Sequence, residues 1–142
     1  MPYDANNVFA KILRGDMPCV DVYEDEHTLA FMDVMPSVEG HTLVIPKAPA
    51  KEIFDLSAEG VSALMRTTQK VGRAIKRGLG CSGVMLVQLN GAGAGQSIPH
   101  VHFHILPREE GLELQLHGRT MRKPEELEPI AARIRAALSS GT

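Results

Sequence analysis

The chain has 142 residues, 44% of them hydrophobic, with a formal charge of −2 and an isoelectric point near 6.3, which suits one domain large enough to bury a core. That charge balance gives no basic footprint for a dedicated nucleic-acid binder, although a small phosphorylated ligand stays open. Cys19 and Cys81 stand apart, which excludes a disulfide framework; with no basic leader or apolar h-region in residues 1–7 and no run near the roughly 18 apolar residues of a membrane span, a soluble, unexported, cytoplasmic protein with reduced thiols is expected.

Val8 to Arg14 carries apolar residues at helical spacing behind Asn6 and Asn7, which can cap, and ends at Gly15. Val20–Glu24 alternates with period two and Leu29–Met32 follows a polar connection, so the pair reads as an antiparallel hairpin with Asp33 at its end. After a loop bracketed by Pro36 and Gly40, His41 opens a third, β-branched strand that Pro46 ends. Ser57 caps a long helix to Arg77, with Val61, Leu64, Met65, Val71, Ile75 and Leu79 on its apolar stripe, Met65 as core filler, and Gly78 and Gly80 as terminators. Val84–Leu89 is a continuous apolar strand, and residues 90–95 form a glycine-rich turn. A strand through His100–Ile105 comes next. Leu112–Leu116 reads as a last short strand, and Pro124 starts a helix through Leu138 with Ala131, Ile134 and Leu138 on one face, Pro129 blurring its start.

The chemistry concentrates in Gln96–Leu106. Strand alternation sends His100, His102 and His104 to one face and Val101, Phe103 and Ile105 to the other. Adjacent ladder imidazoles then stem from positions about 6.6 Å apart, close enough to work on one ligand. Three readings compete. The histidines can be satisfied in a core, but each buried ring needs partners. They can chelate zinc, but no Asp or Glu lies between Asn90 and Arg108 to complete a common ligand set. The third reading also uses the neighbours: a glycine loop brings backbone N–H groups close to an anion, Gln96 and Ser97 add donors, and imidazoles supply nucleophile and acid near neutral pH. This reading calls for no metal and no cofactor.

His100-Val101-His102-Phe103-His104-Ile105-Leu106, with Asn90, Gly95-Gln96-Ser97 and Gly40–Lys47 upstream, resembles the histidine triad family in its Hint branch of nucleoside phosphoramidate hydrolases. Phe9–Ile12 and Leu29–Asp33 extend the match, which covers about residues 7–108 of a single domain spanning 1–142; residues 109–142 are an extension outside it. The resemblance implies an α+β fold with an antiparallel sheet of about five strands, helices packed on it, and a homodimer. It implies a purine nucleotide substrate cleaved at a phosphorus–nitrogen or phosphoanhydride bond, with His102 as the nucleophile that becomes nucleotidylated. His41 and His100 would support it, and His104 and Ser97 would lie near the leaving group. Asn90, Gly95 and Gln96 would hold the phosphate and its surroundings. Asp33 would accept from the ribose hydroxyls, though a carboxylate ending a strand can also cap the next turn. Phe9, Ile12, Phe31 and Val34 would enclose the base, with simple core packing the plainer reading for Ile12 and Val34 taken alone. Some bacterial relatives carry a structural zinc on a C-x-x-C pair and a later histidine; Asn7, Ala10 and Pro49 stand there, so that site is expected to be absent. The alternatives are diadenosine polyphosphate hydrolysis and a nucleotide-binding regulatory module with little turnover.

Overall fold

The computed structural model describes residues 2–111, 118 and 120–140. Its centre is the pair β2 (Thr28–Met32) and β3 (Thr42–Pro46), in which every residue is buried. Both faces of the sheet are therefore covered, and the alternation along these strands sorts side chains between two cores rather than between core and water. Ala30, Met32, Val44 and Ile105 belong to the larger core, while Leu29, Phe31, Leu43 and Ile45 join Phe9 in the smaller one.

The five strands are antiparallel in the order β1-β2-β3-β5-β4, with β1 at Asp21–Glu24, β4 at Gly83–Gln88 and β5 at Phe103–Arg108. The expected α+β sheet of about five strands with packed helices is the fold. Helix α1 (Val8–Leu13) starts on Asn7, whose side chain accepts from the Ala10 N–H, and lays Phe9 on the smaller core. Helix α2 (Ala58–Leu79) starts on Ser57, which accepts from the Gly60 N–H. It covers the opposite face with Leu64, Val71 and Ile75, and α3 (Pro124–Ser139) adds Leu127, Ala131 and Ile134 to the same core.

Several boundaries differ from the sequence expectation. His41 does not open β3; its N–H bonds back to Val38 O and its carbonyl accepts from the Asp33 N–H, so it closes the preceding turn. Pro46 ends β3 as expected, as its last residue, paired with Thr28 at the end of the register. Gly78 lies inside α2, where a Cβ would stand 2.7 Å from the Arg133 carbonyl of α3, so it permits close helix contact; Gly80, at φ 66°, is the terminator. Met65 faces outward at 38% exposure and is not core filler. Strand β4 is continuous but forms the sheet edge, half-buried, with Leu86 exposed. Pro129 sits inside α3 without displacing its start from Pro124. The strand expected at Leu112–Leu116 lies outside the described residues. No helix among the described residues is long and apolar enough to cross a membrane.

Candidate active site

The histidine row is not one strand. Ladder hydrogen bonding begins only at Phe103, so His100 and His102 lie in the extended approach to β5. The alternation nevertheless holds: Val101 and Ile105 enter the larger core and Phe103 packs against it. Residues 89–102 connect β4 to β5 and carry the glycine turn, in which Gly91 and Gly95 adopt φ of 89° and 98°, conformations that a Cβ would strain.

The four histidines are buried at 0% exposure for His41 and His100, 5% for His102 and 3% for His104, so each ring's bonding identifies its protons. Nδ1 of His102 is 2.7 Å from the His100 carbonyl oxygen. A carbonyl only accepts, so His102 carries a proton on Nδ1, and in the neutral ring Nε2 holds the lone pair. Nε2 of His100 is 2.8 Å from Pro46 O, which puts that ring's proton on Nε2. Its Nδ1 bonds to the Tyr3 hydroxyl. Burial, more than any other influence, pushes the His100 imidazolium below its ordinary pKa.

His41 reaches the row from across the sheet. Its Nδ1 accepts from the Ser37 N–H at 3.1 Å, so the proton sits on Nε2, which lies 2.9 Å from His104 Nδ1 and 3.3 Å from Asp33 Oδ2. With His104 Nδ1 accepting, the His104 proton belongs on Nε2. His102 and His104 are thus complementary, one offering a lone pair and the other an N–H donor, with ring centroids 4.9 Å apart. Asp33 Oδ1 accepts from the Met35 N–H at 2.8 Å and caps the turn, while Oδ2 faces His41.

A cavity of about 360 Å³ opens over this cluster. Phe9, Ile12, Phe31, Asp33, Val34, Ser97, His102 and His104 all line it. Its walls are mostly apolar, and the ring of Phe9 stands edge-on to His102 with centroids 5.0 Å apart, which suits a flat aromatic ligand with one polar end. The other expected residues, His41, His100, Asn90, Gln96 and the exposed Gly95, are not among its lining. His41 and His100 brace the row. Gln96 spends its amide on the backbone, accepting from the Gly91 N–H and donating to Lys51 O and Ile98 O. Asn90 accepts from the Ile53 N–H and exchanges bonds with Gln88. Both shape the glycine turn through their side chains. A larger cavity of about 420 Å³ between α2 and α3, lined by Arg66, Lys70, Arg73 and Arg77, contains none of the expected residues.

Sequence reading missed Val8, Pro18, Cys19, Met32, Met35, Leu43, Ile98 and Gly118 in the cavity wall. Single apolar residues carry no local signal for this role. Cys19 is a protonated wall residue, since burial, then Asp21 and Glu24, push its thiol up to about 11. Tyr3, to which the sequence pattern gave no role, contacts His100. The carboxylate lacking from the 90–108 stretch arrives from β2: Asp33, His41 and His104 each offer a ligand atom, all within 4.8 Å of one another, a set able to hold a cation.

Known proteins match this arrangement. The HIT domain family matches residues 14–111. The chain is 38% identical over 130 residues to adenosine 5'-monophosphoramidase hnt1 of Schizosaccharomyces pombe, covering 89% of this chain and 94% of that one. It is 38% identical over 140 residues to the protein hit of Bacillus subtilis, covering 95% and 96%. The crystal structure of a Hit-like protein involved in cell-cycle regulation from Bartonella henselae superposes with a TM-score of 0.92 at 42% identity, over 96% of this chain and 99% of that one. The motif, the five-stranded fold and these matches agree, and the chain belongs to the HIT domain family.

Proposed function

We propose that this protein is a hydrolase of purine nucleoside 5'-monophosphate derivatives, cleaving a phosphorus–nitrogen bond through a nucleotidyl-histidine at His102. The observation that carries the reading is the Nδ1–H of His102 held on the His100 carbonyl, because it leaves Nε2 as the unprotonated nitrogen of a residue lining the cavity. The similarity to a monophosphoramidase supports the leaving-group chemistry.

In the first step the Nε2 lone pair of His102 forms a bond to phosphorus and the P–N bond breaks. The departing nitrogen takes a proton relayed from solvent through the Ser97 hydroxyl, toward which His104 offers its Nε2–H. In the second step water attacks phosphorus, His102 leaves with its lone pair restored, and the proton released from water goes back to solvent. One water is consumed, and a nucleoside monophosphate and an amine are released. The N–H groups of Gly95 and Gln96 are held by Ala92 O and Gly91 O, so the N–H and hydroxyl of Ser97, which lines the cavity, are the donors this turn offers to the phosphoryl oxygens. Asp33 accepts from the ribose hydroxyls, while Phe9, Ile12, Phe31 and Val34 enclose the base.

Two protomers associate through β4 and the adjoining face of α2. The support is the single-chain exposure of Leu86 on an edge strand, beside a groove lined by Thr68, Gln69, Gly72 and Val84. Sedimentation at micromolar concentration is expected to show a dimer, and a monomer alone removes this part of the reading. A turnover panel of adenosine phosphoramidate, its guanosine analogue and diadenosine tetraphosphate tests the activity. Preference for the phosphoramidates is expected. Preference for the tetraphosphate moves the assignment to diadenosine polyphosphate hydrolysis, and binding without turnover moves it to a regulatory module.

A further inference from the structure

We propose that Tyr3 is a positioning residue for the nucleophile: its hydroxyl, braced by Asn7, clamps the ring of His100 so that the His100 carbonyl stays where it fixes His102. The inference rests on the function proposed above and adds a residue that no part of the triad motif contains.

The proton assignments form one chain that branches only at Asn7. His100 donates from Nε2 to Pro46 O at 2.8 Å, so its Nδ1 is an acceptor and the Tyr3 O–H is the donor to it. The Tyr3 oxygen in turn accepts from Asn7 Nδ2 at 2.9 Å. The second Asn7 Nδ2 proton goes to Asp4 O at 2.7 Å, and Asn7 Oδ1 accepts from the Ala10 N–H at 2.9 Å. Each donor in the sequence meets an acceptor. His100 is therefore gripped at both ring nitrogens, and its backbone is pinned on either side by His100 N–H to Ile98 O and Val101 N–H to Ala50 O, both at 2.9 Å.

The carbonyl within this fixed residue is the one that receives His102 Nδ1–H at 2.7 Å. Releasing the ring frees His100 to rotate, shifts that carbonyl, and lets His102 sample the tautomer with its proton on Nε2, which cannot attack. Burial keeps His100 neutral and so preserves Nδ1 as an acceptor for Tyr3. Asn7 adds a second coupling: it caps α1, and α1 carries Phe9, which packs on His102. One side chain ties the apolar wall of the cavity to the row of histidines.

The test is Tyr3→Phe, which deletes one oxygen and keeps the ring stacked edge-on to His100, with Asn7→Ser as a second variant that keeps a capping oxygen but loses the donor to Tyr3. Steady-state kinetics with adenosine phosphoramidate and nitrogen-15 NMR of the histidine rings are measured together. The expected result is a kcat about tenfold lower in Tyr3→Phe with KM within about twofold, an intermediate Asn7→Ser, and a His102 ring pattern that changes from Nδ1–H alone to a mixture of tautomers. A kcat within twofold of wild type overturns the assignment, and so does a lower kcat with an unchanged His102 ring pattern. If the wild type hydrolyses no phosphoramidate, the proposed function fails, yet the ring patterns still decide whether Tyr3 sets the His102 tautomer.

Discussion

Nδ1 of His102 lies 2.7 Å from the backbone carbonyl oxygen of His100. This contact orients the middle imidazole through main chain rather than through a neighbouring side chain, so its tautomer is as stable as the loop that holds residues 98–101. The same contact explains why the row does not behave as three equal ligands. His102 and His104 line the cavity, and the His100 carbonyl holds His102.

His102→Gly is expected to lose activity by several orders of magnitude, because the covalent path is removed, while still binding nucleoside monophosphate. Rapid-quench mass spectrometry of wild type with a phosphoramidate is expected to trap an adduct of nucleotide mass on the peptide containing His102. An adduct elsewhere, or full activity in the variant, refutes the nucleophile.

Ser97→Ala is expected to cost on the order of 10- to 100-fold, with the largest loss for leaving groups that depart as strong bases, since those most need a proton. A plot of rate against leaving-group pKa should steepen in the variant. Parallel plots for the two proteins would rule out a role in proton delivery.

Asp33→Asn preserves an oxygen for the Met35 N–H and removes the charge facing His41. Losing a charge-assisted acceptor is expected to weaken nucleoside binding by roughly 1.5–3 kcal/mol. Wild type and variant should converge on 2′,3′-dideoxy substrates, where there is no diol to bind. An equal deficit on both substrate types would place the effect at His41 instead.

The stability should depend on pH through His100. Its pKa is lowered from 6.5 by burial, so below that value the unfolded chain takes up a proton that the folded one resists. Stability is then full above about pH 7 and falls as pH drops below about 6.5. Melting curves from pH 7.5 to 5 should show the decline, with a shallower slope in His100→Gln. A slope unchanged by that substitution would mean that other groups carry the dependence.

Gly40→Ala is expected to destabilise the fold. Gly40 has φ 92°, and an added Cβ would stand 2.4 Å from Leu79 Cδ1 and 2.9 Å from Pro107 Cγ. Backbone strain and overpacking together are expected to cost roughly 2–4 kcal/mol, read from the denaturant midpoint. Because Gly40 precedes His41, activity should fall as well, and a variant of wild-type stability would show that the turn relaxes freely.

Local patterns in the chain determine much of this protein. The caps at Asn7 and Ser57, the start of α3 at Pro124 and the sorting of Val101 and Ile105 away from the histidines depend on neighbours within a few residues, and all were legible before folding. The motif also marked His102, His104 and Ser97, which the cavity brings together with Phe9, Ile12, Phe31, Asp33 and Val34. Tertiary structure alone decided the division of labour. His41 and His104 are 63 positions apart and Tyr3 and His100 are 97 apart, so no periodicity can reveal that one pair shares a proton and the other clamps a ring. Likewise the continuous apolar run of β4 does not say whether it lies at the edge or the centre of a sheet, and only the strand order left Leu86 exposed. Hydrogen-bond partners are chosen by distance in space, and that distance is set by the packing of β2, β3 and β5 against α1.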